Sequence, residues 1–253
     1  MKLSIVIPAY NEEKQIGAML SSYLPYFINK YGEEVEFIVV VNGSTDSTDV
    51  VVAAYRDEYQ QLSMLVEPEN IGKGGAIIEG IENSCGDWVG FADADGATPA
   101  AEFFRLYKVA QNYDGVIASR WTKGATVMIP QKKARIVSSR LFNILVRVIL
   151  GLKYKDTQCG AKIFKASVWK SILPDVDTAF FAFDVDVLFQ LKRKGFLIRE
   201  EPTVWNDVGG STVQLWKSSF NMFCSVIRIR LKYSPFRFMV QVYDRIFHKN
   251  RCR

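Results

Sequence analysis

Histidine is nearly absent from this chain of 253 residues. The single one, His248, lies in a basic tail close to the C-terminus. A Ser-His-Asp triad, or any other reaction that depends on an imidazole base, therefore has no base in the body of the chain. Carboxylates, a metal ion or an acceptor that needs no base must carry any reaction.

Clustered cysteines and long apolar runs are also missing. The four cysteines lie far apart and form no C-x-x-C pair, so neither a zinc site nor a disulfide framework is indicated. No run approaches the ~18 apolar residues needed to cross a bilayer, and Pro8 interrupts the first apolar segment too early for a signal peptide. We therefore expect a cytosolic chain, and its length and 49% hydrophobic content favour one large domain.

Basic charge is concentrated at the C-terminus. From Val213 onward the chain carries nine lysine or arginine residues and one acid, Asp244. Such a tail suits an anionic surface, and its aromatic and aliphatic stripes favour a membrane over nucleic acid. We therefore predict a body over residues 1–212 and basic amphipathic, membrane-interfacial helices over 213–253, although ordinary core helices remain the alternative.

Strands and helices alternate through the first half of the chain. Apolar runs at residues 3–7, 37–41, 63–66 and 88–92 predict buried strands, and helical periodicity lies between them. Short connections predict an α/β fold in which helices flank a mostly parallel sheet. The loops after these strands then lie along one ligand-binding edge.

The second half is less regular. We predict strands at 116–119 and 197–204 and helices over 135–152 and 184–194. The helix over 135–152 is amphipathic and basic. Its seven-residue spacing places three basic residues on one face: Lys133, Arg140 and Arg147.

Two motifs that follow predicted strands contain candidate metal- or phosphate-binding residues. Asp93-Ala94-Asp95 places two carboxylates where a buried strand ends, which suits Mg²⁺ or Mn²⁺ shared with a diphosphate, or else a plain acidic turn. Lys73, in the glycine-rich segment that follows the third strand, suits a phosphate at a helix N-terminus, or else belongs to a flexible turn. The segment does not match a P-loop.

The later motifs likewise allow both a functional and a structural interpretation. Lys162, close to Gly160, suits a phosphate, although most lysines are merely solvated. Asp184 and Asp186 are candidate catalytic carboxylates, although helix capping is the commoner role of such an aspartate.

Four segments together resemble the nucleotide-sugar site of family 2 inverting glycosyltransferases with the GT-A fold. They are Pro8-Ala9-Tyr10-Asn11-Glu12, Val41-Asn42-Gly43-Ser44, Asn70-Ile71-Gly72-Lys73-Gly74 and Asp93-Ala94-Asp95. Segments 93–98, 156–164 and 183–186 narrow the resemblance to polyprenyl-phosphate sugar synthases, among which the dolichyl-phosphate β-glucosyltransferases are more similar than the mannosyl enzymes.

The resemblance implies a role for each matching residue. The donor-binding set is Pro8, Ala9, Tyr10, Glu12, Asn42 at the base, Lys73, Asp93, Ala94, Asp95 and Arg120. Asp93 and Asp95 would place Mg²⁺ or Mn²⁺ on the diphosphate. Lys162 and Arg140 would bind the lipid phosphate. The catalytic set is Asp95, Asp184 and Lys162, and the role of Asp184 within it is left open.

Two positions depart from the family pattern. Family members commonly have Asp-Asp-Gly-Ser where this chain has Val41-Asn42-Gly43-Ser44, and some have lysine in place of Thr212. Both changes bear on base specificity and diphosphate affinity. A non-catalytic, membrane-associated protein that binds a nucleotide sugar is therefore one alternative.

The implied reaction transfers a hexose, with glucose from UDP-glucose favoured, to a polyprenyl phosphate with inversion. The acceptor phosphate is already ionised, so it needs no general base, which accounts for the missing histidine. We expect a peripheral or monotopic protein at the cytoplasmic face of a membrane, without a nucleic-acid partner, for which a homo-oligomer is possible. A glycosyltransferase with a glycan hydroxyl acceptor is the second alternative.

Overall fold

A seven-stranded central sheet organises the chain in the computed structural model, which describes residues 1–128, 133–177, 182–206 and 215–240, without the side chains of 133–135 and 215–221. The strands are β1 (Leu3–Ala9), β2 (Val35–Asn42), β3 (Leu62–Glu67), β4 (Trp88–Phe91), β5 (Gly115–Ser119), β6 (Thr126–Val127), β7 (Lys162–Lys165), β8 (Ile198–Pro202) and β9 (Val204–Trp205). The sheet order is β3-β2-β1-β4-β7-β5-β8, and β6 pairs with β9 apart from it.

Helices cover both faces of this sheet. They are α1 (Ile16–Tyr31), α2 (Thr48–Glu58), α3 (Gly72–Glu82), α4 (Ala100–Ala110), α5 (Lys133–Leu150), α6 (Ala166–Ile172), α7 (Phe183–Lys194) and α8 (Leu215–Lys232). Strand residues alternate between two cores: Ile5 and Ile7 of β1 lie in one core with α1 and α4, whereas Val6 lies in the other with α3, α6 and α7.

The strand pairing confirms the predicted α/β architecture. β1 lies parallel to both β2 and β4, and β2 lies parallel to β3, so the carboxyl ends of these four strands meet at one edge. β7 is the exception, because it runs antiparallel to β4 and β5. This reversal carries the chain from the loop before β7 directly past the carboxyl end of β4.

The last described helix is part of the packed body. Val226 and Ile229 of α8 are buried in the same core as α7, whereas Phe223 remains exposed. The helix ends at Lys232, and in the turn that follows the Ser234 hydroxyl accepts a hydrogen bond from the backbone N–H of Phe236. The division at residue 212 stays a prediction, and Thr212 and residues 241–253 lie outside the described residues.

Across the described ranges, every helix is too short or too polar to span a bilayer.

Candidate active site

The loops after β1 and β2 lock together at the carboxyl edge of the sheet. Asn11 adopts a positive φ of 55°, and its side-chain oxygen accepts a hydrogen bond from the backbone N–H of Thr45 at 2.7 Å. The backbone N–H of Glu12 donates to the hydroxyl of Thr48 at 2.8 Å. Tyr10, beside this junction, keeps 48% of its surface exposed, whereas Pro8 and Ala9 belong to β1 and Ala9 is buried. An exposed aromatic ring beside a fixed loop suits contact with a planar nucleobase.

Asn42, at the end of β2, forms a hydrogen bond to the loop that follows β3. Its side chain is buried, and its amide oxygen accepts a hydrogen bond from the backbone N–H of Ile71 at 2.8 Å. The side-chain oxygen of Asn70 in turn accepts from the backbone N–H of Gly72 at 2.8 Å. The backbones approach so closely that a Cβ at Gly43, where φ is +62°, would lie 2.5 Å from the Asn70 nitrogen. The amide oxygen of Asn42 is therefore engaged by the protein, and base reading by this residue stays a prediction.

Lys73 and Asp93 form an ion pair across the predicted donor site. Lys73 lies in the first turn of α3, and its Nζ lies 2.6 Å from Asp93 Oδ1, just beyond β4. Burial alone would lower the pKa of Lys73, but the carboxylates of Asp93 and Asp184 raise it above its ordinary value. Burial would likewise raise the pKa of Asp93, but Lys73, Lys162 and Arg120 hold it below its usual range. Both groups therefore stay charged at neutral pH.

Gly160 leaves the space that Asp93 occupies. A Cβ at residue 160 would lie 1.7 Å from Asp93 Oδ2, closer than any real contact. The close approach follows from the antiparallel pairing, which sets Lys162 opposite Phe91 and so carries residue 160 past the end of β4. Sequence analysis did not identify this role of Gly160, because a glycine before a short strand gives no signal of what lies beside it.

Asp95 and Glu12 extend the negative charge of this edge. Asp95 Oδ1 accepts a hydrogen bond from the backbone N–H of Ala97 at 3.0 Å, which fixes the turn that follows Ala94. Burial raises the pKa of Glu12 to about 7, with further contributions from Asp95, Asp93 and Asp46. When carboxylates lie so close together that one of them resists ionisation, a cation bound among them is favoured.

Lys162 lies inside the protein. It is 0% exposed, and its Nζ donates hydrogen bonds to Asp184 Oδ1 and to the carbonyl oxygen of Cys159, the latter at 2.7 Å. The structure therefore does not bring the Lys162 ammonium to a surface where a lipid phosphate can reach it. The prediction that Lys162 contacts the lipid phosphate is therefore wrong. The buried charge of Lys162 is compensated instead by its ion pair with Asp184.

The two acids of α7 have different environments. The carboxylate of Asp184 forms an ion pair with Lys162 beside the predicted site. Asp186 faces away from it, since its Oδ2 accepts from the backbone N–H of Asp177 at 2.9 Å and its Oδ1 accepts from Gln190 at 2.8 Å. Asp186 therefore fixes the segment before α7 and has no place in the predicted site.

Arg120 brings a guanidinium to the same edge from β5. Its Nε and Nη2 donate to the two carboxylate oxygens of Asp156, at 2.8 and 3.0 Å, and both side chains are largely buried. Burial would lower the pKa of Arg120, but Asp156 raises it, and Asp93 adds to that effect. Arg120 in turn lowers the pKa of Asp93, so it lies within electrostatic reach of the predicted diphosphate site. Arg140 is exposed on α5, with its guanidinium 4.9 Å from the ring of Trp121, the residue after Arg120.

The residues present fit a divalent cation held jointly with a ligand. Among the described residues, no three acidic, cysteine or histidine side chains converge as a complete metal site. Mg²⁺ in nucleotide sites is usually held by one or two carboxylates together with substrate phosphates, and Asp93 and Asp95 provide that number. The raised pKa of Glu12 is the observation that favours a cation here.

Comparisons with known proteins find relatives of this chain. A family model described as Glycosyl transferase family 2 matches residues 4–173. The dolichyl-phosphate beta-glucosyltransferase of Saccharomyces cerevisiae is 32% identical over 249 residues, which cover 91% of this chain and 75% of the yeast protein. The protein of the same name from Dictyostelium discoideum is 30% identical over 243 residues, covering 91% of this chain and 74% of its own length.

Solved structures share the fold at lower identity. Glucosyl-3-phosphoglycerate synthase from Mycobacterium tuberculosis, in complex with Mn²⁺, UDP and phosphoglyceric acid, superimposes with a TM-score of 0.67 at 19% identity and covers 91% of this chain and 78% of its own. TarS from S. aureus in complex with UDP-GlcNAc gives a TM-score of 0.58 at 19% identity, covering 97% of this chain and 70% of its own. At this identity, both likenesses show the fold alone.

Proposed function

Because this chain belongs to glycosyl transferase family 2 and is a glycosyltransferase, we propose that it transfers glucose from UDP-glucose to a dolichyl-type polyprenyl phosphate. The observation that carries the proposal is the pairing of Lys73 with Asp93 at the carboxyl edge of the sheet, with the Arg120 guanidinium in electrostatic reach. This cluster suits a diphosphate leaving group. The names of relatives matched over nine-tenths of the chain support the acceptor and the sugar.

The donor lies along the loops at the strand ends in this proposal. Tyr10 contacts the base, and Lys73 and Arg120 face the diphosphate, where negative charge develops as the sugar–phosphate bond breaks. Cationic groups fixed in a largely buried site stabilise that charge without having to reorganise at the moment of reaction. Asp93 orients Lys73 through their ion pair.

The acceptor phosphate attacks without a base. One of its ionised oxygens forms a bond to the anomeric carbon as the bond from that carbon to the UDP oxygen breaks, and UDP departs with the electron pair. Attack on the face opposite the leaving group inverts the anomeric centre, through an oxocarbenium-like transition state. The protein contributes in-line placement of donor and acceptor.

A divalent cation belongs to the proposal. Asp93 and Asp95 would hold Mg²⁺ or Mn²⁺, which would add charge neutralisation at the leaving group. The solved relative with Mn²⁺ and UDP supports the use of a metal within this fold.

The reaction takes place at a membrane surface in this proposal, on the cytoplasmic side. Four apolar side chains of α5, at helical spacing, are 55–78% exposed: Val137, Leu141, Ile144 and Val148. Arg140 and Arg147 flank them on the same exposed side. An apolar stripe with flanking arginines is typical of helices that lie in a membrane interface. Free thiols at Cys85, Cys159 and Cys224 suit the reducing cytoplasmic side.

The test combines purified protein with radiolabelled UDP-glucose, polyprenyl phosphate in detergent micelles, and Mg²⁺ or Mn²⁺. We expect a lipid-extractable glucosyl phosphate that a chelator suppresses, with a β-linkage by NMR. Lys73→Ala should abolish transfer, whereas Lys170→Ala, at an exposed lysine of α6, should not. Donor binding by calorimetry without turnover would instead favour the non-catalytic alternative.

A hydroxyl acceptor finds less support. Such an acceptor needs a carboxylate base, and Asp184, one candidate for that role, is buried and paired with Lys162. Glucose transfer to a glycan but not to polyprenyl phosphate in the same assay would reverse this choice.

A further inference from the structure

The indole ring of Trp121 lies close to the guanidinium groups of two arginines. The Arg140 guanidinium carbon lies 4.9 Å from the centroid of the Trp121 ring, and that of Arg120 lies 5.9 Å from it. Arg120 also lies 5.2 Å from the ring of Trp205, which is buried. Cations within ~6 Å of an indole face are attracted by its quadrupole. The four side chains thus form a continuous cluster of alternating cations and rings.

This cluster joins two places that the proposed reaction must bring together. At one end, Arg120 lowers the pKa of Asp93 and so lies in reach of the donor site. At the other end, Arg140 is exposed on α5, next to the apolar stripe that includes Leu141 and Ile144. A ligand with an anionic head and an apolar chain, approaching along the stripe, meets Arg140 before it meets the donor.

We propose that Trp121 is a positioning residue for the acceptor phosphate, acting by holding Arg140 beside the donor site. The inference rests on the proposed function, because it takes the acceptor to be a phosphate monoester on an apolar chain. No family motif used above includes Trp121, and no role follows for it from the fold alone.

The physical argument concerns the entropy of an exposed arginine. A free Arg140 side chain samples many rotamers, and ordering it when the phosphate binds costs free energy. Stacking on the indole restricts the guanidinium before the ligand arrives, so less ordering remains to be done on binding. Removing the ring should therefore weaken acceptor binding and leave the donor site in place, because two hydrogen bonds to Asp156 hold the Arg120 guanidinium.

The experiment is a double-mutant cycle with Trp121→Ala, Arg140→Ala and both together, in the micelle transfer assay. An exposed cation–π pair corresponds to about a two- to fivefold effect, so Trp121→Ala should raise KM for polyprenyl phosphate by that factor. KM for UDP-glucose should stay unchanged. Trp121→Phe should restore most of the affinity, and Trp121→Ala should add nothing once Arg140 has been removed.

The matched control is Trp88→Ala. Trp88 is another half-buried tryptophan near a cation, with Lys165 Nζ 5.8 Å from its ring. It begins β4, whereas the predicted donor site lies at the other end of that strand. Its loss should lower stability and leave both KM values unchanged. Additive effects in the cycle, equal changes in the two KM values, or an unchanged acceptor KM in Trp121→Ala would each overturn the inference.

Failure of the proposed function is a separate outcome. If the wild-type protein transfers no sugar, the same cycle is measured as the equilibrium affinity for polyprenyl phosphate micelles by calorimetry, without donor. Non-additive losses at Trp121 and Arg140 would then still support the inference, whereas additive losses or none would reject it.

Discussion

Asp93 occupies the space that a side chain at residue 160 would need. Its carboxylate also pairs with Lys73 of α3, so three separate segments of the chain determine the position of one acid. At this scale a glycine sets the geometry of the site as firmly as a charged residue does. The consequence can be measured with single substitutions.

Gly160→Ala should inactivate the enzyme more than it unfolds it. The new Cβ must displace Asp93 Oδ2, which lies 1.7 Å from its position, and misplacement of a site group by about 1 Å can cost ~100-fold in rate. The measurement is kcat in the micelle assay alongside the melting temperature. Gly17→Ala, whose Cβ would meet neighbours at an ordinary 3.5 Å, is the control. Full activity in Gly160→Ala would contradict the placement of Asp93.

Glu12 should make the metal-free protein less stable as pH rises. Its pKa is about 7 in the folded chain against an ordinary 4.5, so between these values the folded state binds more protons than the unfolded state. The contribution of Glu12 to stability is therefore present below pH 4.5 and is lost as pH rises through 7. Glu12→Gln removes this loss.

The measurement is the melting temperature of Glu12→Gln minus that of the wild type, in a chelating buffer. We expect this difference to grow from pH 4.5 to pH 8. The comparison cancels the titration of other groups, which both proteins share. A difference that does not change with pH would show that Glu12 titrates normally.

Among the elements, the parallel strands were predictable and β7 was not. The strands β1 to β4 are apolar runs between turns, and their carboxyl ends must meet, so the predicted edge with Lys73 and Asp93 followed from the sequence. β7 begins and ends with lysine, and no strand was predicted there; its first residue, Lys162, was interpreted as a phosphate-binding or a solvated lysine. Burial of Lys162 depends on pairing with β4 and on Asp184 of α7, which are distant in sequence and leave no local pattern.

The Lys162–Asp184 pair should stabilise the junction of β7 and α7. Lys162→Met leaves Asp184 buried without its partner and should lower the free energy of unfolding by about 3–5 kcal/mol. Lys162→Met with Asp184→Leu should recover most of that loss, because two apolar groups then fill the space. Urea denaturation measures both. A loss below about 1 kcal/mol in the single variant, typical of an exposed pair, would contradict the burial.

On the scale of the whole molecule, exposed apolar side chains lie on α5 as well as in the tail, where Phe236 and Phe238 are 57% and 65% exposed. Val226 and Ile229 of α8 belong to the core, whereas the stripe on α5 faces outward. The cluster of Arg120, Trp121 and Arg140 lies between this stripe and the donor edge. In the proposed function, α5 connects the membrane surface with the reaction centre, so α5 is the element to test.

Leu141→Ser with Val148→Ser should reduce binding to anionic phospholipid vesicles. Burying such side chains in the interface contributes roughly 1.5–3 kcal/mol each when complete, so the double variant should bind at least about tenfold more weakly. Arg140→Gln with Arg147→Gln should weaken binding by about 1 kcal/mol per charge and flatten its dependence on salt. Vesicle sedimentation measures both effects. Val50→Ser, at a valine of α2 that is 66% exposed, is the control, and equal losses in control and stripe variants would mean that α5 does not face the lipid.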